Sequence, residues 1–382
     1  MVQLTLGVMA RSLKENEHRL PLHPTHLDRI PDELRRRVFL ETGYGERQGI
    51  TDAQLEPYVG GFRGREQLVA ECDVILAPKP LLQDISGLRA GQVLWGWPHC
   101  VQDSELTQVA IDRQLTIIAF EAMNHWKDDG SFGLHVFHKN NELAGYCSVL
   151  HALQIAGITG DYGPPRSAAV LGFGATARGA VTALKAIGIH EVDVLTHRQT
   201  AAVASPIHSA RIMHFSTDDT PERASHVVTA DGSVPLGAHL AGYDIVVNCV
   251  LQDTDAPLTF MTETDLGHMA PGSLVIDVSC DEGMGFSWAQ PTTFSEPTFI
   301  VGDHVRYYAV DHSPSYLWDA ATWEISEALL PFLATVMGGP DAWEESPTIR
   351  RAVEIRSGEI QNPAILSFQG RSPLHPHTPL AS

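Results

Sequence analysis

Short apolar runs alternate with segments of helical spacing through the first 140 residues of the chain. The apolar runs, which we expect to be strands, lie at 2–9, 38–41, 74–77, 92–97 and 116–121. The helix-compatible segments between them lie at 25–30, 51–55 and 105–113. Strands that alternate with helices in this way predict an α/β domain with a mainly parallel sheet.

A second series of apolar runs follows a long helical segment at 140–156. We expect these runs to be buried strands, and they lie at 168–171, 192–195, 244–248 and 273–278. Residues 199–235 are too polar for a prediction from pattern. A second long helix is expected at 318–337, followed by a short helical end at 338–356. Residues 361–382 carry several prolines and little apolar pattern, which predicts a loose tail.

One strand of the second series opens into a glycine-rich turn and an alanine-rich helix. Residues 168–179 read Ala-Ala-Val-Leu-Gly-Phe-Gly-Ala-Thr-Ala-Arg-Gly, which contains a G-x-G-x-x-A pattern. Glycines in this pattern permit a tight turn and a close approach of the backbone to a pyrophosphate, and the helix offers free N–H groups. A plain turn between strand and helix is the alternative. The positions expected to bind a dinucleotide are Gly172, Gly174, Ala175, Thr176 and Ala177.

These elements predict two Rossmann-like domains with parallel sheets and a cleft between them. The dinucleotide-binding domain is expected to be inserted into the substrate domain. The expected boundaries are 1–140 for the first part of the substrate domain, 141–307 for the dinucleotide-binding domain with its entry helix, 308–360 for the return to the substrate domain and 361–382 for the tail.

The end of the strand after the glycine-rich unit bears on the choice of cofactor. NAD-specific units place an acidic residue there to bind the ribose 2′-OH. Here the strand ends in Thr196, His197 and Arg198, which would suit a 2′-phosphate. We therefore predict NADP(H) as the preferred cofactor, with NAD(H) possible if Arg198 points to solvent.

Composition narrows the classes of partner. The chain has 382 residues, 43% of them hydrophobic and 19% charged, and a formal net charge of −20. This charge argues against binding to nucleic acid. Five scattered cysteines without C-x-x-C spacing suggest a reducing cytoplasm, and we expect no signal peptide, no membrane partner and no metal site.

Polar residues at the ends of predicted strands are the candidates for chemistry, since ligands of open α/β sheets bind there. In the first domain these are Lys79, His99 and Glu121. Arg19, in the loop after the first strand, could hold a carboxylate with two hydrogen bonds. Asp281 follows a buried strand of the second domain. The structural alternatives are a turn lysine, a partly buried histidine, a surface arginine and a helix N-cap.

The order of these residues resembles that of the alanine dehydrogenase and transhydrogenase family. The segment 16–24, Asn-Glu-His-Arg-Leu-Pro-Leu-His-Pro, is similar to the N-E-x-R opening of the family. Lys79 and His99 stand where the family has its substrate-site lysine and its catalytic histidine. Asp281 matches the second aspartate of the D-x-x-x-D-x-G segment.

Two further segments, 138–145 and 310–315, resemble N5-(carboxyethyl)ornithine synthase more than alanine dehydrogenase, and saccharopine dehydrogenase is a related enzyme. This resemblance implies a cytoplasmic NAD(P)-dependent oxidoreductase acting on CH–NH or CH–NH2 groups. It would use NADPH to join the amine of an amino acid to a 2-oxo acid such as pyruvate, by hydride transfer to an imine. A homo-oligomer is also expected, because relatives often form one.

The resemblance implies roles for the candidate residues. Arg19 and Lys79 would hold the 2-oxo acid, His99 would move protons, and Asp281 would orient the nicotinamide side or balance the iminium charge. Asp311, where alanine dehydrogenases have an asparagine, would recognise the amine, or it is a structural cap.

Glu121 is expected to contact substrate as well. Two alternatives remain open at this point. One is reductive amination with ammonia, as in alanine dehydrogenase. The other is a catalytically inactive NADP-binding sensor or interaction protein.

Overall fold

The computed structural model describes residues 3–197, 207, 210–218, 223–230, 232–253 and 256–380. Its contacts divide the chain into two compact units. The first unit consists of Met1–His138 and Trp318–Ser382, and the second consists of Lys139–Leu317. The return to the first unit therefore comes ten residues later than the expected residue 308.

The late return has a local cause. The hydroxyl of Ser313 donates a hydrogen bond to the carbonyl oxygen of Ala144 at 3.1 Å, and the hydroxyl of Ser148 donates to Ser313 at 2.8 Å. Both partners lie on the helix His138–Ala156. These side-chain hydrogen bonds hold the segment after the last strand on the second unit.

The first unit is built on an eight-stranded sheet. From edge to edge its strands are Glu359–Ile360, Val353–Arg356, Thr116–Ala119, Val93–Gly96, Val74–Leu76, Leu6–Val8, Val38–Glu41 and Gly61–Arg63. The last six run parallel, and the first two are antiparallel to their neighbours. The sheet is therefore mixed and mostly parallel. Strands buried on both faces explain the continuous apolar runs of the sequence.

Helices and one small sheet complete the first unit. Its α-helices are Asp32–Arg35, Asp52–Leu55, Arg65–Glu71, Leu82–Ser86, Ser104–Asp112, Trp318–Leu329, Leu333–Met337, Pro340–Glu345, Pro347–Ala352 and Pro363–Phe368. Its 3-10 helices are Pro24–Arg29, Glu46–Gln48, Glu56–Tyr58, Phe120–Ala122 and Leu330–Phe332. The small antiparallel sheet pairs Asn124–Trp126 with Phe132–His135.

Two expectations for the end of the chain differ from the structure. The helix expected at 318–337 is interrupted by the 3-10 turn Leu330–Phe332, because Pro331 has no N–H to donate. The helical end expected at 338–356 finishes in the strand Val353–Arg356. Pairing with a buried strand of the sheet outweighs local preference there.

The expected loose tail is likewise not observed. The segment contains the helix Pro363–Phe368, and Arg371 behind it is only 5% exposed. The Arg371 guanidinium donates to Gln108 Oε1 at 2.7 Å and to the carbonyl oxygens of Ser104 and His377 at 3.1 and 3.2 Å. Hydrogen bonds to a distant helix order this segment, and its composition gives no sign of them.

The second unit is built on a nine-stranded sheet. From edge to edge its strands are Gly232–Pro235, Ser225–Thr229, Arg211–Thr217, Glu191–Thr196, Ser167–Leu171, Ile245–Asn248, Leu274–Asp277, Val305–Tyr308 and Thr298–Val301. The six consecutive strands from Arg211–Thr217 to Val305–Tyr308 run parallel to one another. The outer strands are antiparallel. Three of these strands lie in the polar segment for which the pattern gave no prediction.

The remaining elements of the second unit are few. Its α-helices are His138–Ala156, which begins at the unit boundary, Ala175–Ala186, Leu236–Leu240 and Glu263–Leu266. The 3-10 helix Ser313–Leu317 ends the unit, and a short parallel sheet pairs Thr259–Met261 with Gly285–Phe286.

Two of these helices cross with their backbones in contact. A Cβ built on Gly145 would overlap with the carbonyl oxygen of Thr176, and one built on Gly179 would overlap with the carbonyl oxygen of Glu142. Each helix therefore needs glycine at the crossing. The reciprocal contact fixes the helix that follows the glycine-rich turn.

Candidate functional site

Three of the predicted residues meet at the carboxyl edge of the first unit's sheet. Lys79 Nζ lies 2.9 Å from His99 Nε2. Glu121 Oε1 accepts a hydrogen bond from the backbone N–H of His99 at 2.8 Å and lies 3.9 Å from His99 Nδ1. The two ring nitrogens of His99 thus have an amine on one side and a carboxyl group on the other, an arrangement suited to moving protons.

The strand order explains why these residues meet. The strands Val74–Leu76, Val93–Gly96 and Thr116–Ala119 are adjacent and parallel, so their carboxyl ends lie at one edge. Each of the three residues follows one of these strands by two or three positions. His99 itself has a positive φ of 51°. The hydrogen bond from its N–H to the Glu121 carboxyl group holds it in this uncommon conformation.

A second carboxyl group influences Glu121. Glu354, on the strand Val353–Arg356, is 3% exposed. Burial raises the pKa of Glu121, and the like charge of Glu354 raises it further; burial also raises the pKa of Glu354. Sequence reasoning missed Glu354, because it lies far along the chain in a segment expected to be helical.

Arg19 is buried rather than exposed. Its guanidinium forms an ion pair with Glu17 on the same loop, with Nε donating to Glu17 Oε1 at 2.8 Å. The guanidinium carbon also lies 5.4 Å from the centre of the Trp97 ring. Sequence analysis missed Glu17 as a partner. A substrate carboxylate on Arg19 would share the guanidinium with this internal acid.

A cavity of about 540 Å³ adjoins these residues within the first unit. Both signs of charge are present in its lining, from Arg11, Lys14, Arg47, Glu17 and Glu46. Ser12 also lines it, and its hydroxyl donates to the carbonyl oxygen of Lys79 at 3.0 Å. The cavity thus lies next to the loop that carries Lys79.

The glycine-rich turn of the second unit has a backbone that only glycine tolerates easily and leads directly into a helix. Gly172 has a φ of 108°, and a Cβ there would lie 3.0 Å from the carbonyl oxygen of Cys249. Gly174 caps the twelve-residue helix Ala175–Ala186, and a Cβ on it would meet nothing within 4 Å. Open space in front of free helix N–H groups fits a pyrophosphate. Ala177 is buried against the strand.

The next strand ends close to this turn. Glu191–Thr196 pairs with the strand of the glycine-rich unit, and Gly172 N donates to Leu195 O at 2.8 Å. Thr196 is buried, and His197 is exposed. The ring Nε2 of His214, on the neighbouring strand, lies 3.1 Å from the carbonyl oxygen of His197. Arg198 lies outside the described residues.

A buried network supports the loops beyond two central strands of this unit. Asp277 accepts hydrogen bonds from Asn248 Nδ2 at 3.0 Å and from the Tyr307 hydroxyl at 2.8 Å. Burial raises the pKa of Asp277 to about 6. Its Oδ1 also accepts the backbone N–H groups of Ser279 and Cys280 at 3.2 and 3.3 Å. The network therefore shapes the turn that presents Asp281. The D-x-x-x-D-x-G pattern contains Asp277, but only its second aspartate was predicted.

Asp281 and Asp311 both belong to the second unit. Asp281 is half-buried, and burial raises its pKa. Asp311 Oδ1 lies 2.5 Å from Nδ1 of the buried His312. A histidine thus shares the carboxyl group that was expected to recognise an amine.

The described residues contain neither a candidate membrane-spanning helix nor a candidate metal cluster. None of their helices is long and apolar enough to cross a membrane. No group of three or more histidine, cysteine, aspartate or glutamate side chains among them could hold a metal ion.

Family comparison decides the class of the protein. A model of the alanine dehydrogenase/PNT N-terminal domain matches residues 7–142, and a model of the C-terminal domain of the same family matches residues 152–363, more than half of the chain. The chain belongs to the alanine dehydrogenase/PNT family. This membership confirms the resemblance seen in the sequence. It also makes the chain an NAD(P)-dependent oxidoreductase acting on CH–NH or CH–NH2 groups.

Relatives of the alanine dehydrogenase/PNT protein cover most of its length. It is 24% identical over 379 residues to the alanine dehydrogenase of Mycobacterium tuberculosis, which covers 94% of this chain and 95% of the relative. It is 27% identical over 328 residues to the N(5)-(carboxyethyl)ornithine synthase of Clostridium botulinum, which covers 82% of this chain and 89% of the relative.

Solved structures of the family share the fold. An L-alanine dehydrogenase superposes with a TM-score of 0.74 at 19% identity, over 96% of this chain and 99% of that one. A transhydrogenase from Sinorhizobium meliloti gives 0.69 at 21% identity, over 94% and 99%. These structures confirm the α/β class and the two Rossmann-like domains.

Proposed function

We propose that this member of the family joins the amine of an amino acid to a 2-oxo acid such as pyruvate, with NADPH as the reductant. The reaction would be that of N5-(carboxyethyl)ornithine synthase or a close variant of it. Support comes from the 27% identity to the Clostridium botulinum synthase over 82% of the chain and from the two site regions.

The observation that carries the proposal is the charged cavity of the first unit. A volume of about 540 Å³ has room for an amino acid as well as a 2-oxo acid. Cations and carboxylates in one lining match an amino acid, which carries an ammonium and a carboxylate group. Glu46 lies 3.6 Å from Arg11 in this lining, and Lys14 and Arg47 add positive charge that would suit the carboxylate of such a guest.

The residues of the first unit would handle carbinolamine and imine formation. Arg19 and Lys79 would bind the carboxylate and carbonyl of the 2-oxo acid. His99 would take a proton from the attacking amine and give one to the hydroxyl group that leaves as water. Its contacts with Lys79 Nζ and Glu121 Oε1 support this role, because they orient the imidazole ring and place a titratable group beside each ring nitrogen. Glu121 would thereby act at the substrate site.

The second unit would hold the cofactor. Gly172, Gly174, Ala175, Thr176 and Ala177 would surround the pyrophosphate, and bound NADPH would supply the hydride. Thr196, His197 and Arg198 would favour the 2′-phosphate, so NADPH is preferred to NADH. Asp281 would orient the nicotinamide, and Asp311 would face the amine-bearing substrate.

Product analysis tests the reaction. The purified protein is supplied with NADPH, pyruvate and, in turn, ammonia or a panel of amino acids with a side-chain amine. We expect a secondary amine that contains both carbon skeletons, identified by mass. A protein that accepts ammonia alone contradicts the proposal.

The cofactor preference has its own test. We expect His197→Asp to shift the ratio of kcat/KM values toward NADH, because a carboxylate repels a 2′-phosphate and binds a 2′-OH. His190→Asp, an exposed histidine before the same strand, is the matched control. An equal ratio in the two variants would remove this strand end from cofactor choice.

Reductive amination with ammonia is the second candidate function. Alanine dehydrogenases from several organisms match over more than nine-tenths of the chain, which favours it. Comparison of initial rates with ammonia and with amino acids, at equal free-amine concentration, separates the two reactions.

Cell location and assembly complete the proposal. All five cysteines are free thiols, which suits a reducing cytoplasm. We also propose a homo-oligomer, which a measurement of mass in solution tests.

A further inference from the structure

Glu354 is a buried acid that the proposed reaction does not use. Its neighbours in the strand pair with the adjacent strand, Val353 with Ile118 and Ile355 with Ile117. From Val353 to Ile355 this strand advances by two residues while its partner advances by one. Glu354 is therefore the extra residue of a β-bulge. Bulges change the direction of a side chain and are frequent beside active sites.

The bulge places Glu354 close to the carboxyl group that holds His99. Glu121 follows the partner strand by two residues, and the two acids interact electrostatically. Glu354 Oε1 accepts a hydrogen bond from Asn362 Nδ2 at 2.9 Å. Within the described part of the chain, neither Glu121 Oε2 nor Glu354 Oε2 has a hydrogen-bond partner, although both atoms are fully buried.

Two carboxylates that each have a buried oxygen without a donor cannot both stay ionised at low cost. An ionised oxygen without a donor loses its hydration, and the second negative charge adds repulsion. Lys79 and His99 face Glu121 from neighbouring loops, and the Cys100 thiol and the His135 ring lie near the same acid. The Asn362 amide favours the ionised form of Glu354, and the His99 N–H and Lys79 favour that of Glu121. Burial and the like charge of Glu354 outweigh those two groups and raise the pKa of Glu121 to about 8. The proton therefore belongs on Glu121.

We propose that Glu354 is a positioning residue that keeps Glu121 protonated at neutral pH. The Lys79–His99 pair then faces a neutral carboxylic acid, which holds the His99 backbone without fixing a positive charge on the ring. His99 stays free to accept a proton. This inference rests on the proposed role of His99, but the protonation state of Glu121 is measurable without turnover.

Infrared difference spectroscopy of the full chain without substrate is the direct test. Subtracting the Glu121→Gln spectrum from the wild-type spectrum at neutral pH should reveal the C=O band of a protonated, buried carboxyl group. In Glu354→Gln the same band should disappear at a lower pH than in the wild type, because removal of the like charge lowers the pKa of Glu121. Glu359→Gln, an exposed acid of the adjoining strand, should titrate as the wild type does.

Asn362→Ser provides a second variant should the first fail to fold. Serine can still cap the helix Pro363–Phe368, but its short side chain removes the amide donor to Glu354. Glu354 then binds a proton more readily, repels Glu121 less, and moves the band in the same direction. An absent band in the wild type, or an unchanged titration in Glu354→Gln, overturns the proposal.

Turnover gives an independent readout. As Glu121 ionises with rising pH, the activity should fall, and this alkaline limb should lie at lower pH in Glu354→Gln than in the wild type. If the protein uses ammonia instead of an amino acid, the infrared result stands and only the substrate assignment fails. A limb that moves equally in Glu359→Gln contradicts the role of Glu354.

Discussion

The two candidate site regions are constructed in opposite ways. In the second unit, the glycine-rich turn is local: one strand, one turn and one helix place backbone N–H groups in front of open space. In the first unit, Lys79, His99 and Glu121 come from separate loops and meet only because their strands are neighbours. Local construction leaves a sequence pattern, whereas assembled construction depends on strand order and on distant supports such as Glu354.

This contrast has a chemical reason. A pyrophosphate is bound by main-chain N–H groups, so the sequence needs only small residues in the right order. Proton transfer needs side chains with tuned ionisation, and neighbours from elsewhere in the fold provide the tuning. We therefore expect substitutions in the two units to separate cofactor binding from chemistry.

The largest expected effect is on turnover in the first unit. Lys79→Met should lower kcat by roughly 10²–10⁴-fold, because it removes the amine beside His99 Nε2. NADPH affinity, followed by fluorescence, should be unchanged. Lys127→Met, an exposed lysine of the same unit, is the control. Weaker NADPH binding in Lys79→Met would break the separation between the two regions.

The next effect concerns distant support of the first unit. Arg371→Ala should lower the free energy of unfolding by roughly 2–4 kcal/mol, because acceptors on Gln108, Ser104 and His377 lose their buried donor. Chemical denaturation measures it. Arg350→Ala, an exposed arginine, should cost far less. Equal stability of the two variants would show that the first unit does not depend on its C-terminal segment.

In the second unit, the stability of the fold should be more sensitive to substitution at the helix crossing than in the glycine-rich turn. Gly179→Ala should cost roughly 1–3 kcal/mol of folding free energy, since its Cβ would overlap with the Glu142 carbonyl oxygen. Gly267→Ala is the control, because a Cβ there lies 3.7 Å from the nearest atom, Thr264 O. Thermal unfolding compares them. Similar melting temperatures would contradict a close helix crossing.

Gly174→Ala should affect cofactor binding without affecting stability. A Cβ at this position meets no protein atom within 4 Å, so the stability should be unchanged. The methyl group would occupy the space proposed for the pyrophosphate, and NADPH affinity should fall by about tenfold, or about 1.4 kcal/mol. Calorimetric titration measures it. Full affinity in Gly174→Ala would place the cofactor elsewhere.

The smallest effect is on the pH dependence of stability. Because the folded state raises the pKa of Glu121, this acid stabilises the fold fully below its unfolded pKa, and that contribution is lost as pH rises through the folded pKa. Glu121→Gln should therefore lose less stability than the wild type between neutral and alkaline pH. Denaturant unfolding across that range measures the difference, and parallel curves would contradict it.

The α/β class, most strands and the glycine-rich turn could all be predicted from the amino-acid sequence. Periodicity reports burial, and a pyrophosphate site made of backbone is encoded by adjacent small residues. It also supplied Lys79 and His99 through position at strand ends.

The surroundings of those residues, in contrast, depend on how the chain folds. The contact of Arg19 with Trp97, the β-bulge at Glu354 and the burial of Arg371 all depend on partners brought together by packing. Electrostatic tuning acts through space, so a pattern along the chain carries no record of it. A candidate catalytic side chain can be recognised from the sequence around it, but its protonation state depends on neighbours that only the fold brings close.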